Sequence, residues 1–399
     1  MSTRKHRTPT STDAVHAGID RGRSHHTLTP SIAQTATYTF ENTATLERYM
    51  RGEDPDPERE EYGRYGNPTV RELERRVAAL EGAEDAVAFS SGMAATSSAL
   101  LSLLKAGDHV VLFRDCYRRT RQFVTQTLLR FGIEHTVVAA GDLAAMEAAI
   151  RPTTRLVVTE SPTNPLNFCV DLEKLATIVK SKGRIRTLVD STFATPINSL
   201  PLSLGIDLVL HSATKYLSGH NDVLGGVVAG PSHLISLLRD TRGIVGSVLD
   251  PHAAFLIMRG LKTLSLRVER QNQSALSLAK AFERHPNVEC VHYPWLESHP
   301  SYGVASSQMR GGGAVVSFVV RGGRAAASRV VDAARIPQIA ASLGGVESLI
   351  EQPAIMSFFE LGDEELAQIG INPALIRLSV GIEDTEDLVA DLLNALSHA

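Results

Sequence analysis

The sequence predicts an α/β protein: a large domain built on a mostly parallel sheet, followed by a smaller α+β domain. Three observations carry this. Between Asn67 and about residue 211, short apolar runs alternate with amphipathic helical stretches, the texture of a parallel sheet covered on both faces. From about residue 250 the alternation gives way to a long helical stretch, then to strands with helices between them. The 399 residues suit two or three domains, and a globule of that size buries roughly three quarters of its unfolded surface without staples.

In order along the chain, residues 1 to about 62 read as irregular, with a Ser/Thr-rich stretch and an acidic loop holding two prolines (51–61). A segment of this texture lacks a core of its own. Asn67-Pro68 opens a helix that Gly82 closes. Residues 85–90 form the first strand, and the helix after it is expected to run on to Gly107. Further strands are expected at 109–113, 134–140, 155–160, 186–190 and 208–212, with helices from 120, 143 and 172 between them. One helix is expected over 254–285, stopped by Pro286, and then strands at 288–294, 314–322 and 375–381.

Composition narrows the function classes. Apolar residues make up 43% and charged residues 21%, which excludes wholesale disorder. A net charge of -4 shows no basic excess for nucleic acid. Only 8 of the 40 basic residues are Lys, a skew read as coding bias, so each Lys stands out. Cys116, Cys169 and Cys290 are odd in number and far apart, so neither a disulfide framework nor a zinc site is expected, and a reducing cytoplasm is. His25, His26, His211, His220, His292 and His299 have no H-x-x-x-H spacing, which argues against a metal. No apolar run reaches bilayer length. The basic first ten residues, followed by no apolar stretch, read as a frayed terminus without a secretory signal.

In an open α/β sheet ligands sit beyond the carboxyl ends of the strands. The first strand ends in Ser90-Ser91-Gly92-Met93, either an anion cup at a helix start or an ordinary turn. Glu160-Ser161-Pro162-Thr163-Asn164-Pro165 is a polar loop fixed by two prolines. Asp190 ends an apolar run, where a carboxylate either caps a turn or faces a cationic ligand. Ser212, Thr214 and Lys215 follow the next run. A Lys at a buried sheet edge is costly unless neutralised or covalently bonded. With Asp190 at an adjacent strand end, Lys215 suits pyridoxal phosphate, Lys bonding the aldehyde and Asp pairing with the pyridinium nitrogen. Ser91, Gly92, Met93, Ser212 and Thr214 then suit its phosphate. Cys116, beside Tyr117, reads as a buried bystander.

EYGRYGNPT (61–69), SSGMAA (90–95), ESPTNP (160–165), VDSTFATP (189–196), HSATKYLSGHNDVLGG (211–226), SLGGVESL (342–349) and IRLSVGIED (376–384) together resemble the cystathionine γ-synthase group of pyridoxal-phosphate enzymes. RDCYRRTRQF (114–123) and EQPAIMS (351–357) resemble its plant-type members most. The resemblance spans nearly the whole chain. It implies a fold-type I architecture and a homotetramer of two active dimers. Residues 1–62 would pack on the neighbouring subunit, 63–255 bind the cofactor, and 256–399 cover the substrate. It implies Lys215 and Asp190 in the roles above. Gly92, Met93, Ser212 and Thr214 would hold the phosphate, with Tyr62 and Arg64 reaching it from the other subunit. Tyr117 would stack on the ring and help at the leaving group. Asn164 would touch the ring hydroxyl, Thr192 the opposite ring face, and Ser342 and Arg377 the substrate α-carboxylate.

The reaction implied is γ-replacement: an activated homoserine (O-phospho-, O-succinyl- or O-acetyl-) plus L-cysteine gives L-cystathionine. O-acylhomoserine sulfhydrylase, cystathionine or methionine γ-lyase, and a specialised enzyme adding a carbon nucleophile to a vinylglycine-type species share the same cofactor residues. Two departures stand out. Arg118-Arg119 follow Tyr117 where many relatives have Gly and a small residue, which points Arg119 at a distal anion on the leaving group. Ala341 stands before Ser342 where some relatives carry Glu.

Overall fold

The computed structural model describes residues 8–19, 26–56, 58–360, 362, 364, 366 and 369–399. The basic residues 1–7 and His25 lie outside the described residues. A seven-stranded sheet is formed by β1 (Asp85–Phe89), β2 (His109–Phe113), β3 (Glu134–Val138), β4 (Thr154–Glu160), β5 (Arg186–Asp190), β6 (Leu208–His211) and β7 (Gly226–Gly230). Their spatial order is β1-β7-β6-β5-β4-β2-β3. β3, β2, β4, β5 and β6 run parallel, and β7 lies antiparallel between β1 and β6. β1, β4, β5 and β6 therefore all end at one sheet edge.

Side chains alternate across this sheet as the pleat requires. On β1, Ala86 and Ala88 join one core while Val87 and Phe89 join the other. The first core continues without a break into a second sheet, taking in Phe318 and Leu378. That sheet contains β8 (Val288–His292), β9 (Val315–Val320), β10 (Gln338–Ile339), β11 (Leu349–Glu351) and β12 (Leu375–Ser379), in the order β10-β11-β12-β9-β8. Only the β10–β11 pair is parallel.

The helix Pro68–Glu81 forms as its ends dictate. Asn67 accepts hydrogen bonds from the N–H groups of Thr69 and Val70, and Gly82 closes it at φ +65. Other expectations are corrected. The helix after β1 spans Gly92–Leu103 and stops short of Gly107. The stretch after Tyr117 is α-helical over Arg118–Gln122, then a π turn and a 3-10 turn ending at Gly132. The long helix expected over 254–285 is two helices, Pro251–Leu261 and Leu264–Glu283. Residues 1–62 are not wholly irregular. Ser11–His16 is a helix whose Thr10 and Asp13 cap each other's backbone, and Thr43–Met50 is a second, capped by Asn42.

Candidate active site

A cavity of about 800 Å³ opens at the edge where β1, β4, β5 and β6 end. The two sheets supply opposite sides of it. Lys215, after β6, donates from Nζ to Oγ of Ser342 at 2.6 Å. Burial pushes the Lys215 amine down to about 8, Arg377 pushes the same way, and Glu351 opposes them. Ser342 sits at φ +95, a backbone region that non-glycine residues avoid. It is held there from two sides, since its carbonyl accepts from Nη2 of Arg377 at 2.8 Å.

Asp190 ends β5. Its Oδ1 accepts from the N–H and the hydroxyl of Thr192, at 3.0 and 2.5 Å. The Thr192 hydroxyl in turn accepts from the N–H of Ser212 at 2.8 Å, tying the ends of β5 and β6 together. Burial raises the Asp190 pKa above the ordinary carboxylate value, and the Thr192 bonds and His211 only partly offset this. Oδ2 takes no hydrogen bond from the described residues.

At the end of β1, Ser91 caps the helix Gly92–Leu103 by accepting from the N–H of Ala94 at 3.0 Å. The first N–H groups of that helix have no acceptor within it. A Cβ on Gly92 would stand 2.9 Å from both Cβ and Oγ of Ser212, so only glycine lets these two segments meet. Thr214 accepts from the N–H of Gly225 at 3.0 Å, which fixes the loop carrying Lys215.

Tyr117, Asn164 and Ser342 line the cavity with these residues. The Tyr117 N–H donates to Oε2 of Glu160 at 2.8 Å, and the residue is 46% exposed. Burial raises the Glu160 pKa well above normal, and the nearby charge of Asp190 adds to it. Oδ1 of Asn164 accepts from Nη1 of Arg377 at 3.2 Å. Arg377 is buried on β12, beside Glu351.

Three further residues do not line this cavity, two of them, Tyr62 and Arg64, being expected at the neighbouring subunit's site. Arg119 lines a smaller cavity of about 240 Å³ with Arg114, Arg118 and Arg121. Both cavities are lined by Tyr117, Asn164, Ala341 and Ser357, so they meet there. Arg119 donates to the Gln122 side chain at 2.7 Å, and Arg118 pairs with Glu360. Tyr62 and Arg64 line neither cavity: Arg64 donates to the carbonyl of Gly243 at 2.6 Å and lies over the Tyr65 ring at 4.6 Å. Cys116 is buried and its thiol pKa is raised well above normal, chiefly by burial, as expected of a bystander. Sequence reasoning missed the roles of Glu160 and Glu351. Among the described residues no group of three or more His, Cys, Asp or Glu side chains is placed to hold a metal, and no helix is long and apolar enough to cross a membrane.

The donor set fits pyridoxal phosphate: an amine of lowered pKa, a half-buried carboxylate with one free oxygen, and a glycine-opened helix start beside two hydroxyl residues. The sequence profile of the Cys/Met metabolism PLP-dependent enzymes matches residues 11–397. The chain belongs to this family. It is an enzyme with pyridoxal 5'-phosphate as cofactor. It is 47% identical over 386 residues to "Cystathionine gamma-synthase 1, chloroplastic" of Nicotiana tabacum, covering 96% of this chain and 71% of that one. It is 44% identical to "O-succinylhomoserine sulfhydrylase" of Pseudomonas aeruginosa, covering 92% and 90%. The crystal structure of metB from Corynebacterium glutamicum superposes with a TM-score of 0.90 at 38% identity, covering 97% of each chain. The fold-type I reading is thereby borne out.

Proposed function

We propose that the protein catalyses γ-replacement on an activated homoserine, with L-cysteine as nucleophile and L-cystathionine as product. The observation that carries this is the arginine-lined pocket opening from the cofactor cavity at Tyr117. An amino acid held by its α-carboxylate at Arg377 and Ser342 can extend its γ-substituent towards Arg119. A phosphate or succinyl terminus gains charge-assisted hydrogen bonds there, whereas the thioether of methionine does not.

Pyridoxal phosphate, when bound, supplies the aldehyde that captures the substrate's amino group and the ring that takes up its electrons. On this reading Asp190 would meet the ring nitrogen, Gly92, Met93, Ser212 and Thr214 the phosphate, Thr192 one ring face and Tyr117 the other, and Asn164 the ring hydroxyl. The lowered pKa of Lys215 makes its Nζ a competent base near neutral pH. Nζ would take the Cα proton, give it up within the cavity and, neutral again, take a Cβ proton, after which the γ-substituent departs. Tyr117 lines both cavities, and its phenol would give a proton to the leaving group or take one from the thiol.

A second reading, sulfide in place of cysteine, is favoured by the sulfhydrylase relative. Incubation with phospho-, succinyl- and acetyl-homoserine, each with cysteine or sulfide, separates them. Cystathionine formed with cysteine, fastest from an ester with a distal anion, supports the proposal. Homocysteine formed with sulfide alone overturns it in favour of the sulfhydrylase, and 2-oxobutanoate with ammonia under every condition overturns it in favour of a lyase. The same reading makes the protein a cytoplasmic homotetramer in which residues 1–62 pack on the neighbour, with Tyr62 and Arg64 reaching its cofactor phosphate. Residues 63–255 then bind the cofactor and 256–399 cover the substrate.

A further inference from the structure

The small-sheet wall of the cavity carries a carboxylate with no part in the scheme above. Glu351 ends β11 and stands directly opposite Arg377 of β12 in the antiparallel register. Both residues are buried, and Oε1 of Glu351 lies 3.0 Å from Nη2 of Arg377. Yet the guanidinium donates its hydrogen bonds elsewhere, to the Ser342 carbonyl and to Asn164. Oε1 of Glu351 and Nε of Arg377 are both buried without a hydrogen-bond partner. Four carboxylates line the cavity. Glu160 accepts from the Tyr117 N–H, Asp190 from Thr192, and Asp222 is exposed at the rim. Glu351 is the one of the four that faces Arg377, its Oε1 held by the ion pair and by no hydrogen bond.

Its position gives that oxygen a use. A carboxylate docking on Arg377 brings a second negative charge to a guanidinium that already faces one, in a buried site where like charges are weakly screened. An α-amino acid brings an ammonium one carbon away, which answers the charge on Glu351. A carboxylic acid without the amine brings nothing to answer it. We propose that Glu351 is a specificity-determining residue that admits α-amino acids to the cavity and rejects carboxylates lacking the α-ammonium. This rests on Arg377 as the α-carboxylate site.

The groups facing Glu351 are Arg377, Lys215 and the Ser357 hydroxyl, while Tyr117 and Tyr216 face Arg377. Burial raises the Glu351 pKa, and Arg377 and Lys215 lower it, so the carboxylate form gains ground as pH rises. Rejection of plain carboxylates therefore strengthens with pH.

The test compares 2-aminopentanoate with pentanoate as competitive inhibitors of the holoenzyme across pH. In Glu351→Gln the proposal expects pentanoate to bind about tenfold tighter at high pH and its affinity to lose the wild-type decline through the Glu351 titration. 2-Aminopentanoate should bind no better than to wild type. Glu351→Asp, which keeps the charge, should restore discrimination. Parallel weakening of both ligands in Glu351→Gln would make the residue a mere prop for Arg377 and overturn the proposal, as would an unchanged ratio. Arg377→Lys tests the premise separately. If both ligands keep wild-type affinity in that variant, Arg377 is not the carboxylate site and the proposal falls with its premise, whatever Glu351→Gln shows. Weakening of both upholds it.

Discussion

The cofactor cavity and the arginine-lined pocket share four residues but are built on different terms. In the larger cavity the polar groups are tied to the sheet: Ser212 to Thr192, Thr192 to Asp190, Tyr117 to Glu160, Lys215 to Ser342. A shift at one is felt at the next. In the smaller pocket, Arg119 donates, among the described residues, only to Gln122 on its own helix, and the Glu360 that pairs with Arg118 is largely exposed. Exposed pairs of that kind contribute little to stability, so these side chains are free to be re-aimed at a ligand. The lesson is a division of labour. On the proposed function, the bonded cavity serves the cofactor chemistry and the loosely held pocket reads the γ-substituent. Such a division would let relatives named as a synthase and as a sulfhydrylase align over almost the whole chain.

Substitutions should expose this contrast, and the largest effect belongs to the bonded cavity. Lys215→Ala should abolish turnover, lowering kcat by about 10⁴-fold or more, because it removes both the covalent anchor and the base. A variant within tenfold of wild type would break the account. Asp190→Asn should come next, with kcat down about 10²–10³-fold and weaker cofactor retention, read by steady-state kinetics and by dialysis followed at the cofactor's absorbance. Arg119→Ala should differ in kind. It should raise KM for phospho- or succinyl-homoserine by about 10- to 100-fold, a charged hydrogen bond's worth, with KM for cysteine unmoved. An equal loss for acetyl-homoserine would show that the pocket does not read the distal anion.

The smallest effect is on stability. In the cofactor-free protein Lys215 titrates near 8 against an ordinary 10.5. Between those values the unfolded chain holds more protons than the folded one, so this group adds stability as pH climbs from about 8 towards 10.5. Below 8 both states are protonated and that contribution is gone. The melting temperature of the apoprotein should therefore rise with pH across this window relative to Lys215→Met, by a few degrees at most. A falling or flat difference would show that the amine is not buried as described.

What the sequence disclosed follows the same line. Lys215 and Asp190 were legible because Asp190 ends one short apolar run and Lys215 closely follows another, and strand ends of a parallel sheet converge. The helix Pro68–Glu81 was legible because its caps are local. The antiparallel β7 was not, since its five residues lie among glycines. Gly226 is there because a Cβ would meet the Ser91 carbonyl at 2.2 Å, a contact no local pattern announces. The break at Lys262-Thr263 has neither Gly nor Pro to mark it. Glu351 was out of reach for a similar reason. It sits in a three-residue strand, and its partner Arg377 comes 26 positions later on another strand. Glu160 read as part of a turn because the N–H it holds belongs to Tyr117, far back in the chain.

The central claim is that one amine, on the loop after β6, carries the cofactor. Borohydride reduction of the holoenzyme, followed by digestion and mass mapping, tests it most directly. The account predicts a single pyridoxyl-modified peptide with the label on Lys215. A label on any other lysine, or none at all, would contradict it.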